Sequence, residues 1–233
     1  MQMKIAALFV GRVKCYEKTY AGIMENVFAG HDVDVFFSHN AANTADNLDD
    51  FAARYKVKAA QSAIVPVPPH VYNYSDRNGM IYANNGFMWL MFYHLHNGFR
   101  IIDNYMAETG TRYDIILYLR ADMHFESRVE FPAMPAENRI YIPSLQDWYG
   151  LNDQMAFGTP DAMRTYCSVF PNLERYFNTD GVIYHPEKML QYHLYVNGMN
   201  VVRFPMKGHL DDERHYDKMS FCLLMRGGAA GAT

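Results

Sequence analysis

The 233-residue chain has a formal net charge of −4, is half hydrophobic and one-fifth charged, and carries aromatic side chains at 15% of its positions. That balance suits a soluble globular fold and excludes the basic stripe that a general nucleic-acid binder needs to neutralise phosphates. No apolar run approaches the roughly 18 residues of a membrane span, so no integral membrane segment is expected.

Cys15, Cys167 and Cys222 have no paired spacing, so neither a disulfide framework nor a CxxC zinc site is expected. The opening MQMKIAALFVG has no secretory hydrophobic region with a cleavage site and reads as a first strand; the expected location is cytoplasmic. The length accommodates one large domain, expected over 1–224, and the small-residue stretch MRGGAAGAT (225–233) is expected to be a flexible tail or linker.

In chain order, KIAALFVG (4–11) reads as a buried strand closed by Gly11, followed by a helix over about 16–29 and a strand over 31–40. DNLDDFAARYKVKAA (46–60) reads as a helix and SAIVPVPP (62–69) as a strand stopped by prolines. A long helix follows from Phe87, with Gly98 expected to interrupt it and Gly110 to close it. YDIILYLRAD (113–122) is a strand, NRIYIPS (138–144) another, and 146–160 a polar, glycine-bearing loop. PDAMRTYCSVF (160–170) and EKMLQYHLYVNG (187–198) read as helices, MNVVRFP (199–205) as a late strand, and 207–217 as a charged loop. The alternation of strands and helices predicts an α/β fold with a mixed, mainly parallel central sheet and helices on both faces.

The strand at 113–122 carries the first chemical signal. Ile115, Leu117 and Leu119 face one way and Ile116 and Tyr118 the other, so both faces are apolar and the strand is interior. It then runs into Arg120, Asp122 and His124, at the carboxyl end where open α/β sheets bind ligands. A buried arginine has to meet an anion or open water. Two readings follow: a salt bridge from Arg120 to Asp122 or a glutamate that closes the sheet edge, or a site where Arg120 meets phosphate oxygens and Asp122 holds a divalent cation.

Four segments, VDVFFSHN (33–40), FMWLMFYHLHNGFRIIDNYMAETG (87–110), YDIILYLRAD (113–122) and GLNDQMAFGTPDAMRTYC (150–167), stand in an order that resembles nucleotide-sugar glycosyltransferases of the GT-A fold. The likeness is to enzymes of polysaccharide-synthesis clusters and of large viruses that glycosylate their own capsids, and it covers most of residues 3–210. It implies a GT-A-like (Rossmann-like) sheet and a metal-bound nucleotide diphosphate at a DxD position, which here reads Arg120-Ala121-Asp122. Asp122 would be the retained metal ligand, while Arg120, standing where the first Asp is missing, could itself offset diphosphate charge. His209 in KGHL (207–210) would be the second ligand of a Mn²⁺ or Mg²⁺ ion, with His124 and His215 as competing candidates.

The loop around 150–160 supplies the sugar-side candidates. Asn152 and Gln154 have amides suited to sugar hydroxyls. Asp153 is the candidate catalytic or sugar-positioning carboxylate, placed to stabilise an oxocarbenium-like state. The plain alternative is a loop-turning aspartate. The same resemblance implies that Gly11 and Arg12, at the end of the first strand, would meet the base and ribose; Arg77, before the long helix, is a candidate for phosphate or ribose. Glu187 lies at a helix start, where the dipole favours a carboxylate whatever its function, or else serves as an acceptor-side base.

The expected activity is therefore metal-assisted transfer of a sugar from a nucleotide-diphosphate donor, UDP-sugar first, to a glycan or glycoprotein acceptor that enters near Trp148, Tyr149 and the 207–217 loop. The alternatives are a binding module that keeps the donor cleft without turnover, and a metal-dependent phosphoester hydrolase or nucleotidyltransferase.

Overall fold

A computed structural model of the protein describes residues 2–42, 47–74, 85–133, 135–145, 147 and 150–210. Its centre is a seven-stranded sheet made of Lys4–Val10 (β1), Asp32–Asn40 (β2), Ala59–Ala63 (β3), Ile115–Leu119 (β4), Arg139–Pro143 (β6), Met155–Gly158 (β7) and Asn200–Phe204 (β8). The strand order is β3-β2-β1-β4-β7-β6-β8. β1 pairs in parallel with both β2 and β4, and β6 with β8, while β7 runs antiparallel to β4 and β6. A two-stranded ribbon joins Met123–Phe125 (β5) to Gly208–Leu210 (β9).

Side-chain parity builds a core on each face. Ile5, Ala7 and Phe9 of β1 and Ile115, Leu117 and Leu119 of β4 pack with Tyr16 and Ile23 of the helix Tyr16–Ile23 (α1) and with Phe51 and Tyr55 of Leu48–Tyr55 (α2). Their alternates Ala6, Leu8, Ile116 and Tyr118 pack with Phe92 and Phe99 of Asn85–Thr109 (α3), Met163 of Pro160–Tyr166 (α4) and Met189 of Pro186–Val196 (α6). A shorter helix, Leu173–Asn178 (α5), adds Leu173 and Tyr176 to the same side. β4 is buried throughout, as its two apolar faces predict.

Several elements differ from the sequence reading. The helix expected over 46–60 ends at Tyr55, because Lys56 turns into the left-handed region at φ +51° and Ala59 and Ala60 join β3 beside Phe36 and Phe37. Gly98 does not interrupt α3. It lies inside a continuous helix, where an added Cβ would come within 2.8 Å of Leu8 Cδ1 and 3.2 Å of Ser38 Cβ, so the glycine serves close packing. Gly110 closes that helix at φ +72°, its N–H donating to the Met106 carbonyl at 3.0 Å. The stretch 146–160 is not all loop: Met155–Gly158 is the buried antiparallel strand β7. Residues 208–210 of the expected charged loop form β9. The tail 225–233 lies outside the described residues. No helix among the described residues is long and apolar enough to cross a membrane.

Candidate active-site crevice

The strand order changes direction between β1 and β4, and the rim at the carboxyl ends of such neighbouring strands is the usual ligand site of open α/β sheets. Because β7 is antiparallel, its amino end, with Asn152, Asp153 and Gln154 just before it, reaches the same rim. Three segments far apart in sequence therefore meet there.

β1 leaves the sheet at Gly11, whose N–H donates to the Ser38 carbonyl at 2.9 Å. Its φ of +86° favours glycine, and an added Cβ would meet nothing within 4 Å among the described residues. Arg12 is exposed and Lys14 half-buried, and Cys15, a non-glycine at φ +61°, turns the chain into α1.

At the end of β4, the Arg120 guanidinium donates from Nε to Asp122 Oδ1 at 2.9 Å and from Nη2 to Asp122 Oδ2 at 2.8 Å. Lys14 Nζ adds a third cationic contact to Oδ2 at 3.6 Å. The Asp122 side chain is 4% exposed but that of Arg120 is 36%, so the pair has a buried anion and an open cationic edge. Burial pulls the guanidinium's pKa down, but the Asp122 hydrogen bonds and charge outweigh it and hold Arg120 above its ordinary value. The cation is permanent.

The Asn152–Gln154 turn is built from within. Asn152 is fully buried, donating from Nδ2 to the Leu145 carbonyl at 2.8 Å and accepting the Gln154 N–H at 3.0 Å. Its own N–H donates to Asp147 Oδ1 at 2.9 Å, and Asp147 is gripped by Arg203 at 2.8 Å through both oxygens. Asn152 thus faces the protein rather than a ligand, and it aims its neighbours. Gln154 is also buried, its carbonyl accepts the Arg120 N–H at 3.2 Å, and its Oε1 has no hydrogen-bond partner among the described residues.

Asp153 stays half-buried between them. Desolvation and then the Glu187 charge push its carboxyl well above the usual carboxylate range, to about 7, against smaller opposing effects of Arg120 and His185. Tyr118, fully buried below, is raised by its own burial and then by the Asp153 charge.

Glu187 and His185 are the part of this rim that sequence reasoning undervalued. Glu187 is 5% exposed, and its Oε2 lies 2.7 Å from His185 Nδ1. Its backbone carbonyl accepts the Leu151 N–H at 3.2 Å, and a Cβ on Gly150 would lie 2.2 Å from that same oxygen. The start of α6 is thus seated directly on the turn that carries Asp153.

Gly11, Arg120, Asp122, Asp153 and Gln154 therefore share one rim. His209 pairs across the ribbon with His124, two positions beyond Asp122: it stacks on His124 with ring centroids 4.8 Å apart, and its Nδ1 lies 3.1 Å from Glu126 Oε1. Arg77, Trp148, Tyr149 and His215 lie outside the described residues. Both Asp122 oxygens accept from Arg120, and His209 Nδ1 lies beside Glu126 Oε1, so each side chain expected to hold the divalent cation already has a protein contact. Among the described residues, no group of three or more His, Cys, Asp or Glu side chains is placed to hold a metal ion. Lys14 and His185 were not picked out by sequence, although each stands within three positions of a residue that was.

No protein-family model matches the chain, and no curated protein matches it significantly.

Proposed function

We propose that the chain is a glycosyltransferase of GT-A type that moves a sugar from a nucleotide-diphosphate sugar, UDP-sugar first, to a glycan or glycoprotein acceptor. The observation that carries this reading is the convergence of the Gly11 turn, the Arg120–Asp122 pair and the Asp153 turn on the switch point of a mixed, mainly parallel sheet.

The nucleotide would seat above Gly11. The diphosphate would lie against the open edge of Arg120, whose planar fork suits phosphate oxygens, with Lys14 beside it. Asp122 holds that fork in orientation. As an acceptor hydroxyl oxygen bonds to the anomeric carbon and releases its proton to solvent, the bond from that carbon to the diphosphate oxygen would break, the leaving electron pair developing charge opposite a permanent guanidinium and the sugar's positive charge facing an ionised Asp153.

One observation favours a second reading, a nucleotide-sugar-binding module without turnover: the two groups at the DxD-like position are already satisfied by each other.

The test is to incubate the protein with UDP-, GDP-, dTDP- and CMP-sugars and a mixed glycan acceptor, and to follow release of the nucleotide. Transfer from one donor, reduced roughly 100-fold in kcat by Asp153→Asn with little change in KM, is the expected result for a charge-stabilising carboxylate. Tight donor binding without release would establish the binding module instead.

A further inference from the structure

The Asp153 turn belongs to the connection from β6 to β7, residues 144–154, whose described residues form neither helix nor strand. A chain of contacts that starts on the edge strand β8 fixes it. Arg203 stands in register with Ile142 of β6, so its backbone belongs to the sheet. Its Nη2 donates to the Pro143 carbonyl at 2.5 Å and to both Asp147 oxygens at 2.8 Å. Ser144 is tied to the same strand, donating from its N–H at 2.9 Å and from Oγ at 3.1 Å to the Phe204 carbonyl. Asp147 Oδ1 accepts the Asn152 N–H at 2.9 Å, and Asn152 Oδ1 accepts the Gln154 N–H at 3.0 Å. The Gln154 carbonyl in turn accepts the Arg120 N–H at 3.2 Å. Asp153 therefore sits between one neighbour braced to β8 and another braced to the end of β4.

A partly exposed ion pair on a loop commonly adds little stability, and the Arg203 and Asp147 side chains are 28% and 39% exposed. That reading leaves the second task of Asp147 unexplained. The same Oδ1 that meets the guanidinium also holds the Asn152 N–H, so a charged pair anchored in the sheet is aimed at one turn.

We propose that Arg203 and Asp147 are positioning residues that act through Asn152 to hold Asp153 and Gln154 in register with Arg120, and so align the sugar with the diphosphate that leaves it. The proposal goes beyond the glycosyltransferase reading but rests on its placing of Arg120 and Asp153 at opposite ends of the breaking bond. Those two residues come from different parts of the chain, so contacts across the 144–154 connection set their relative placement. A misplacement of about 1 Å can cost on the order of 100-fold in rate while binding is retained. Loss of the brace therefore falls on kcat. Binding of free UDP, which has no sugar and would meet the Gly11 and Arg120 side, is spared.

The experiment compares wild type, Asp147→Ala and Asp147→Asn, the last of which keeps an oxygen for the Asn152 N–H. Asp147→Ala is expected to lower kcat for donor transfer by about 10–100-fold per folded molecule, with UDP affinity within about threefold of wild type. Asp147→Asn should recover most of that loss. In the ligand-free protein, exchange of the Asn152 and Gln154 amide hydrogens should quicken by roughly tenfold or more in Asp147→Ala, while the amides of β1 and β4 keep their wild-type rates. Wild-type kcat in folded Asp147→Ala, or a loss of kcat matched by an equal loss of UDP affinity, would overturn the proposal. Should Asp147→Ala not fold, Arg203→Gln is put through the same two measurements with the same criteria. Should no donor be turned over, quickened exchange at Asn152 and Gln154 supports the brace and the glycosyltransferase reading alone falls; unchanged exchange overturns the proposal whatever the donor result.

Discussion

Arg120 binds both oxygens of Asp122 with a two-pronged fork, at 2.9 and 2.8 Å, at the carboxyl end of a strand that is otherwise wholly apolar. The consequence is a fixed positive edge at the mouth of the core. Its anion is buried and its cation is open, the polarity that an incoming phosphate requires.

Breaking that pair from the buried side should cost stability. Asp122→Ala strands a partly enclosed guanidinium, and about 1–3 kcal/mol is expected, below the full cost of a buried pair because Arg120 keeps solvent on one side. Urea unfolding at pH 7 measures it. An Arg120→Lys change should not restore donor affinity, since an ammonium cannot reproduce the fork.

If Arg120 and Lys14 supply the positive charge, donor binding should survive chelation. We expect the nucleotide-sugar affinity measured by calorimetry in EDTA to lie within about threefold of that in Mn²⁺. Arg120→Gln should weaken it by roughly 10–100-fold, the cost of about 1.5–3 kcal/mol in charge-assisted hydrogen bonds.

Gly150→Ala is expected to be the most disruptive small change near the site. Its Cβ would collide with backbone atoms of Glu187 and Lys188, at 2.2–2.7 Å, which cannot move aside as a side-chain tip could. A loss of about 2 kcal/mol or more is expected, within the range for overpacking, with the Asp153 turn displaced from α6. Thermal unfolding and the Asp153 carboxyl resonance report the two effects separately.

Much of this fold was legible because its strongest signals are simple. β4 announced itself through two apolar faces, and Arg120 and Asp122 through charge placed directly after them. β7 was hidden because Met155–Gly158 is too short for any period, and its burial is imposed by β4 and β6 on either side. Asn152 misled for a related reason. An amide in a polar loop reads the same whether it faces a sugar or, as here, the Leu145 carbonyl and the Gln154 N–H. Lys14 and His185 gain their meaning only from partners 108 and 2 positions away, Asp122 and Glu187, once the sheet has placed them.

Away from the crevice, His94 predicts an acid weakness of the fold. It is 1% exposed with Nδ1 3.0 Å from Ser38 Oγ, and burial, reinforced by His39, pulls its pKa down to about 4. Between the unfolded value of about 6.5 and that folded value, the unfolded chain binds the extra proton, so stability falls as pH falls through this window. Roughly 2–3 kcal/mol should be lost between pH 7 and pH 4.5. The slope should flatten in His94→Gln, as urea midpoints at the two pH values would show.

The most direct measurement is a thermal-shift screen of UDP-, GDP-, dTDP- and CMP-sugars on wild type and Asp122→Ala, each with EDTA and with Mn²⁺. A donor held at a hundred times its Kd should add about 2.7 kcal/mol, a shift of several degrees for a chain of this size. We predict that one nucleotide-sugar stabilises the wild type in EDTA as well as in Mn²⁺, and that the shift is lost when Asp122 no longer orients Arg120. A well-folded wild type that none of the four donors stabilises would contradict the account and leave Arg120 and Asp122 as the capped end of a core strand.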